Sequence, residues 1–85
     1  MGAKVDGYYL QGQQGGVILD ASNLSATGDF RWIQFLADTE IDAILSTNLT
    51  DIGALDGVTI GAGIGIGGHF TSIEIVSGLA IAYYA

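Results

Sequence analysis

The sequence contains no cysteine and no proline, and charged side chains make up only 13% of its 85 residues. Without cysteine, neither disulfide bonds nor thiolate metal sites can stabilise so short a chain. Small single domains have a large surface for their size, so they are usually richer in charge than this one. The composition therefore predicts one domain, part of whose surface is covered by further subunits.

Basic residues are almost missing as well. Lys4 and Arg31 stand against nine acidic residues, which gives a net charge of −7. Such a chain repels phosphate backbones, and this excludes ordinary nucleic-acid binding. The sequence also has no apolar run of transmembrane length, and its N-terminus lacks the apolar region of a signal peptide. We therefore expect a chain that is made in a cytoplasm and binds neither nucleic acid nor membranes.

What the sequence does contain is short runs of β-branched and aromatic residues separated by glycine, most clearly in residues 57–84. Residues 70–76 and 79–84 flank Ser77-Gly78, a turn pair that predicts a β-hairpin. One face of this hairpin then carries Ile73, Ile75, Ala80 and Ala82. The other face is also mostly apolar, with Glu74, Val76, Leu79, Ile81 and Tyr83. Either a second layer of the same fold or a second chain covers it, and the short chain favours a second chain. A homo-oligomer follows, with a trimer as the expected state.

The rest of the chain continues the β pattern. A first strand is predicted at residues 17–19, a loop at 20–29, a strong strand at 30–37 and a loop at 46–55. A helix over 30–45 is the weaker alternative, because aromatic and β-branched residues dominate there. The count predicts six or seven short strands in a small β-sandwich or barrel-like domain.

The first sixteen residues differ from the rest, since five of them are glycine. We therefore divide the chain into a flexible arm, residues 1–16, and a β-domain, residues 17–85. Tyr8, Tyr9 and Leu10 are the candidate anchors of the arm on a partner. The alternative is that these side chains fold back onto their own domain.

Two patterns, one of glycines and one of acidic residues, could indicate a cofactor or metal site. Gly63, Gly65 and Gly68 match G-x-G-x-x-G, but a strand pattern follows where a dinucleotide site needs a helix, so we interpret the match as chance. Asp38, Glu40 and Asp42 could hold a hard cation, although a solvated acidic strand face is favoured. Neither pattern predicts a bound cofactor or metal.

His69 is the single imidazole of the sequence, and Ser72 lies too near on the same predicted strand to form a nucleophile–base pair with it. A structural or exposed histidine is therefore the favoured interpretation. No residue set predicts catalysis, and we expect a protein that is not an enzyme.

Several segments, in this order, resemble another group of proteins. They are WIQFLADT at residues 32–39, LDGVTI at 55–60, GHFTSI at 68–73, Ser77-Gly78 and IAY at 81–83. The order resembles that of small virion structural proteins of tailed bacteriophages, over roughly residues 30–84. Gly61 stands where the turn of that pattern carries proline.

The resemblance implies a capsid decoration or cement subunit, commonly a trimer, that stabilises a phage head on its surface. Its partners would be copies of itself and the major capsid protein or another virion structural protein. The candidate interface residues are Tyr8, Tyr9, Leu10, Trp32, Ile64, Ile66, Tyr83 and Tyr84. The alternative is a tail-fibre or tail-tip module that contacts sugar through Trp32, Tyr8 or Tyr9. We predict that Trp32 lies in the core or at a subunit interface instead of a ligand site.

Overall fold

The computed structural model describes residues 15–85, which form six β-strands and one short 3₁₀ helix. The strands are β1 (Gly16–Leu19), β2 (Ser25–Phe35), β3 (Thr39–Ser46), β4 (Thr59–Ile60), β5 (Gly65–Ser77) and β6 (Ala80–Tyr84). The 3₁₀ helix, Ile52–Leu55, connects β3 to β4. The prediction of an all-β chain with six or seven strands is therefore confirmed. No helix in this part of the chain is long and apolar enough to cross a membrane.

All six strands lie in one open antiparallel sheet with the order β1-β6-β2-β5-β3-β4. The predicted hairpin between residues 70–76 and 79–84 is therefore wrong. Ser77 and Gly78 do connect β5 to β6, but β2 lies between these two strands and pairs with both. Local turn residues cannot reveal this, because the intervening strand comes from much earlier in the chain.

The two long strands, β2 and β5, form a ribbon that bends back on itself. Phe35 N–H donates to the Ile64 carbonyl, and Leu36 N–H donates to the Leu79 carbonyl, both at 2.9 Å. The Ile64 and Leu79 carbonyls lie just outside the two ends of β5. In a straight strand of this length the two ends would be roughly 40 Å apart, so β5 must bend. Irregular pairing on either side of Phe30 provides the bend, since β-bulges turn the strand that carries them.

The bend encloses one hydrophobic core. A flat sheet would leave both faces open, but here residues from five strands are buried in a single cluster. The buried apolar residues are Leu19, Phe30, Ile33, Phe35, Ile41, Ile44, Phe70, Ile73, Ile75, Ala80 and Ala82. The predicted set Ile73, Ile75, Ala80 and Ala82 is therefore on one side, as expected. These residues meet because the sheet curls and not because their strands pair.

Three predicted boundaries differ from the structure. β2 begins at Ser25, so the predicted loop 20–29 is a strand in its second half. β5 continues through Gly67 and Gly68, although the sequence pattern predicted that glycine separates the strands of residues 57–84. β1 begins at Gly16, which pairs with Tyr83, one residue before the predicted first strand. In the first two cases β2 and β5 pair with each other and hold the glycine-containing backbone extended, which outweighs the turn propensity of glycine.

The three clustered acids do not share one strand face. Asp38 precedes β3, where its Oδ1 accepts a hydrogen bond of 3.0 Å from Ala62 N–H. Glu40 and Asp42 lie in β3, and Asp42 is exposed. Among residues 15–85, no three histidine or acidic side chains gather closely enough to hold a metal ion.

The connection from β5 to β6 depends on Gly78 and on buried Thr39. Thr39 Oγ1 donates to the Ala37 carbonyl at 2.8 Å and accepts from Leu79 N–H at 3.2 Å. Gly78 has φ 116° and lies against Thr39 so closely that a Cβ there would be 2.6 Å from Thr39 Cα and 2.7 Å from the Asp38 carbonyl oxygen. Both its conformation and its packing therefore require glycine.

We expect Gly78→Ala to lower the free energy of unfolding by about 2 kcal/mol or more, because backbone strain and a backbone clash add. Urea denaturation measures the loss. Gly63→Ala is the matched control: Gly63 also has positive φ, but a Cβ there would meet nothing within 4 Å. Equal losses in the two variants would contradict the role of the Thr39 contact.

Candidate interaction surface

Four neighbouring strands place two rows of residues on the face of the sheet that points away from the core. The register aligns Ile18, Ile81, Gln34 and Gly65 in one row, and Gly16, Tyr83, Trp32 and Gly67 in the next. Directly opposite residues share a face, and their strand neighbours Ile33 and Ala82 are buried on the other side. We call the side chains of Ile18, Trp32, Gln34, Ile81 and Tyr83 the outer apolar face.

The outer apolar face contains no charged side chain, although the chain carries a net charge of −7. Ile18 is 55% exposed. Trp32, Ile81 and Tyr83 are half-buried, so each still offers apolar surface to a partner. Isolated exposed hydrophobic residues are common, but a contiguous uncharged patch that includes Trp and Tyr is typical of a protein interface.

Trp32 lies flat over two glycines of β5. A Cβ on Gly65 would be 2.7 Å from Trp32 Cε2, and a Cβ on Gly67 would be 3.1 Å from Trp32 Cε3. The indole Nε1 donates to Gln34 Oε1 at 3.2 Å, and Gln34 Nε2 donates to the Ile64 carbonyl at 3.3 Å. The ring is thereby fixed on the sheet surface. Trp32 is not among the buried core residues. Of the two predicted locations, the subunit interface therefore remains, and it stays a prediction.

These contacts give the glycine-rich segment a structural explanation. A dinucleotide-binding fingerprint requires a helix after its glycines. Here β5 follows instead. Gly65 lies under the indole ring of Trp32, where any side chain would collide with the ring. Gly67 also lies under the ring, but a side chain there would approach it less closely.

The described residues among the predicted interface residues lie in three different parts of the structure. Trp32 and Tyr83 are direct neighbours on the outer apolar face. Ile66 and Tyr84 pack against the core, and the Tyr84 ring stacks on Phe30 at a centroid distance of 5.2 Å. Ile64 is 50% exposed just before β5. Tyr8, Tyr9 and Leu10 lie outside the described residues.

Sequence reasoning placed Ile81 and Tyr83 together on one apolar strand face, but it did not single out Ile18 or Gln34 as members of this surface. Their meeting depends on β6 inserting between β1 and β2, which no local pattern signals. The alternation of apolar residues in 79–84 did indicate that Ile81 and Tyr83 share a face.

A second polar arrangement connects three parts of the fold around His69. Its Nε2 contacts Asp29 Oδ1, and its Nδ1 lies 3.0 Å from Thr47 Oγ1. The imidazole of His69 therefore lies between a hydroxyl and a carboxylate. This arrangement was not expected from the sequence, because Thr47 and Asp29 are far from His69 along the chain. His69 and Asp29 are 43% and 68% exposed, so the pair is a solvated surface contact of small energetic value.

Backbone donors near this arrangement are already used. Thr47 N–H donates to the His69 carbonyl, and His69 N–H donates to Asn48 Oδ1 at 2.9 Å. The N–H groups of Asn48 and Leu49 donate to Ser46 Oγ, both at 3.2 Å. An acyl-transfer site needs free N–H groups for the developing oxyanion. These four are engaged, so the geometry explains a connection between strands and gives no support to catalysis.

Comparisons with protein-family models, curated proteins and solved structures give no match for this chain. The resemblance to phage virion proteins therefore stays a prediction that rests on the residues quoted above.

We expect Gly65→Ala to displace the indole ring from the sheet, because the new methyl group would collide with it. Trp32 is the single tryptophan, so its fluorescence emission should shift to the red and become more accessible to quenchers. Gly61→Ala is the control, since a Cβ there would meet only Ile64 Cδ1 at 3.7 Å. Unchanged fluorescence emission in Gly65→Ala would contradict the described position of the Trp32 ring on β5.

Proposed function

We propose that this chain is a non-enzymatic structural subunit that assembles with copies of itself through the outer apolar face. The observation that carries the proposal is a contiguous, charge-free row of apolar side chains across β1, β6 and β2 in a strongly acidic chain. Interface cores are depleted of charge and enriched in aromatic residues, as this face is. A trimer is the expected state.

The energetics favour such an assembly. Complete burial of an Ile or aromatic side chain contributes roughly 1.5–3 kcal/mol, and this face offers four such side chains with surface left to bury. Fixed side chains lose less entropy on binding, and Trp32 is already held by Gln34 and the β5 glycines. The bent sheet would then act as a compact, sandwich-like unit that presents the outer apolar face to its copies.

We further propose that the assembly is a capsid decoration or cement subunit on the surface of a phage head. Support comes from the resemblance of residues 30–84 to small virion structural proteins. The partner would be the major capsid protein, whose lattice the acidic surface of the subunit would contact at basic positions. A subunit of this kind needs stable folding and shape-complementary surfaces, and no catalytic group.

A tail-fibre or tail-tip role with sugar contact is the second candidate. The half-exposed indole of Trp32 beside Tyr83 favours it, because aromatic faces stack on apolar ligand surfaces. Sugar hydroxyls also require several free polar groups near the ring, and the neighbouring Gln34 side chain already makes one hydrogen bond through its oxygen and one through its nitrogen. We therefore rank this role second.

Ile18→Asp should dissociate the oligomer without unfolding the subunit, because Ile18 is exposed in the monomer but would be buried between copies. Sedimentation velocity at low micromolar concentration measures the molecular mass, and circular dichroism checks the fold. Val76→Asp is the matched control, since Val76 is 50% exposed on β5 and lies outside the outer apolar face. A folded 8.8 kDa wild-type monomer under these conditions would refute the assembly.

The virion role is tested by co-sedimentation of the purified chain with empty heads assembled from the major capsid protein of the same phage. We expect saturable binding by the wild-type chain and by Val76→Asp, and at least tenfold weaker binding by Ile18→Asp, because a monomer loses multivalent attachment. Absence of binding to heads, together with Trp32-dependent binding to a glycan array, would replace this role by the tail-fibre alternative.

A further inference from the structure

The two edges of the sheet are not protected equally. At one edge, β4 covers the start of β3, and the residues before β4 extend this cover. Gly57 N–H donates to the Ile41 carbonyl at 2.7 Å, and Ile41 N–H donates to the Val58 carbonyl at 2.9 Å. Farther along β3, Asp56 Oδ1 accepts a hydrogen bond of 3.2 Å from Ile44 N–H. These backbone groups of β3 are therefore occupied, which hinders the addition of another strand.

β1 forms the opposite edge, and no strand among residues 15–85 pairs with its outer side. Tyr84 N–H donates to the Gly15 carbonyl, so residue 15 bonds toward β6. The direction of hydrogen bonding alternates along an antiparallel strand, so the N–H and C=O groups of Gly16 and Ile18 point away from the sheet. The Ile18 carbonyl accepts one bond of 3.1 Å from Asn23 Nδ2, which leaves its second lone pair for another donor.

Apart from its short length, β1 lacks the usual protection of an open edge. Its sequence, GVIL, contains no charged residue and no proline, and Ile18 is 55% exposed. Sheets of natural proteins commonly block their open edges with lysine, proline, a bulge or a covering loop. An open and uncharged edge is instead suited to the addition of a strand.

A second copy of β1 fits this edge. In an antiparallel pair with a two-fold axis at Val17, Gly16 of each copy lies opposite Ile18 of the other. The outward N–H and C=O groups of these residues then form four hydrogen bonds between the copies. Ile18 lies against a glycine, so no side chain competes for its space. Tyr83, the neighbour of Gly16 on β6, follows in the same row, so the outer apolar face continues from one copy into the next.

Charge repulsion between the two acidic chains does not oppose this pair. Asp20 is the described acidic residue that lies nearest to β1 in the sequence. In the pair, the Asp20 residues of the two copies would be about 20 Å apart along the strands. This distance exceeds the screening length of about 8 Å at physiological ionic strength, so their repulsion is largely screened.

We propose that two copies of this chain pair antiparallel through their β1 strands, about a two-fold axis at Val17, and so join their sheets into one. This contact uses the edge of the sheet, so it is additional to the proposed assembly through the outer apolar face. It gives assemblies with an even number of subunits. A trimer whose subunits also pair in this way becomes a hexamer.

Single cysteine substitutions test the pair, because the sequence contains no cysteine of its own. At the two-fold axis the Cα atoms of residue 17 would be about 4.5 Å apart, a distance that a disulfide bond spans. We expect Val17→Cys to form a disulfide-linked dimer at least tenfold faster than Ile18→Cys under mild oxidation. Ile18→Cys is the matched control: Ile18 is more exposed than Val17, but its two copies would be about 7–8 Å apart.

Amide hydrogen exchange of the wild-type chain gives a second readout that needs no substitution. The Ile18 N–H should exchange at least tenfold more slowly in the assembled chain than after dilution to monomer, because the second copy accepts its hydrogen bond. The Leu19 N–H points toward β6 and should change much less.

Two results would overturn the edge pair. One is equal cross-linking rates of Val17→Cys and Ile18→Cys. The other is an Ile18 exchange rate that does not depend on concentration, since the edge is then either open or covered within one chain. A wild-type oligomer that persists alongside either result would leave the assembly through the outer apolar face standing and remove the edge pair alone.

Discussion

Both ends of β5 are held at the end of β2, where Phe35 and Leu36 donate backbone hydrogen bonds to Ile64 and Leu79. A strand of thirteen residues can satisfy both bonds only if it bends, and the bulges beside Phe30 allow this. The core follows from that bend, because it brings residues of five strands of one sheet into a single cluster. Gly78 and Thr39 hold the connection where β5 passes to β6.

The same bend determines which residues are available to partners. One side of the sheet forms the core, and no second layer among residues 15–85 covers the other side. Trp32 and Tyr83 therefore remain on the outside with Ile18 and Ile81. The glycines beneath Trp32 leave room for its ring to lie directly on β5, because a Cβ at Gly65 or Gly67 would collide with it.

Much of the fold could be predicted from the composition and the periodicity of the sequence. Short β-branched runs predicted an all-β chain, and alternation predicted the buried side of β5 and β6 correctly. The strand pairing could not be predicted from the sequence. Ser77-Gly78 has the residues of a hairpin turn, but it connects β5 to β6, which do not pair with each other. The loop predicted before Phe30 was wrong for a related reason: residues 25–27 are held extended by β5, a partner distant in sequence.

The sequence by itself determined the class of structure, the burial of Ile73, Ile75, Ala80 and Ala82, and the poverty in charge that points to an assembly. Only the tertiary structure decided that Trp32 is outside the core and that Ile18 and Ile81 lie on the same face of the sheet. It also decided that two buried donors of Arg31 have no partner among residues 15–85. The reason is physical. Period-two alternation is a property of one strand, whereas strand order and a bulge depend on hydrogen bonds between segments far apart in the chain.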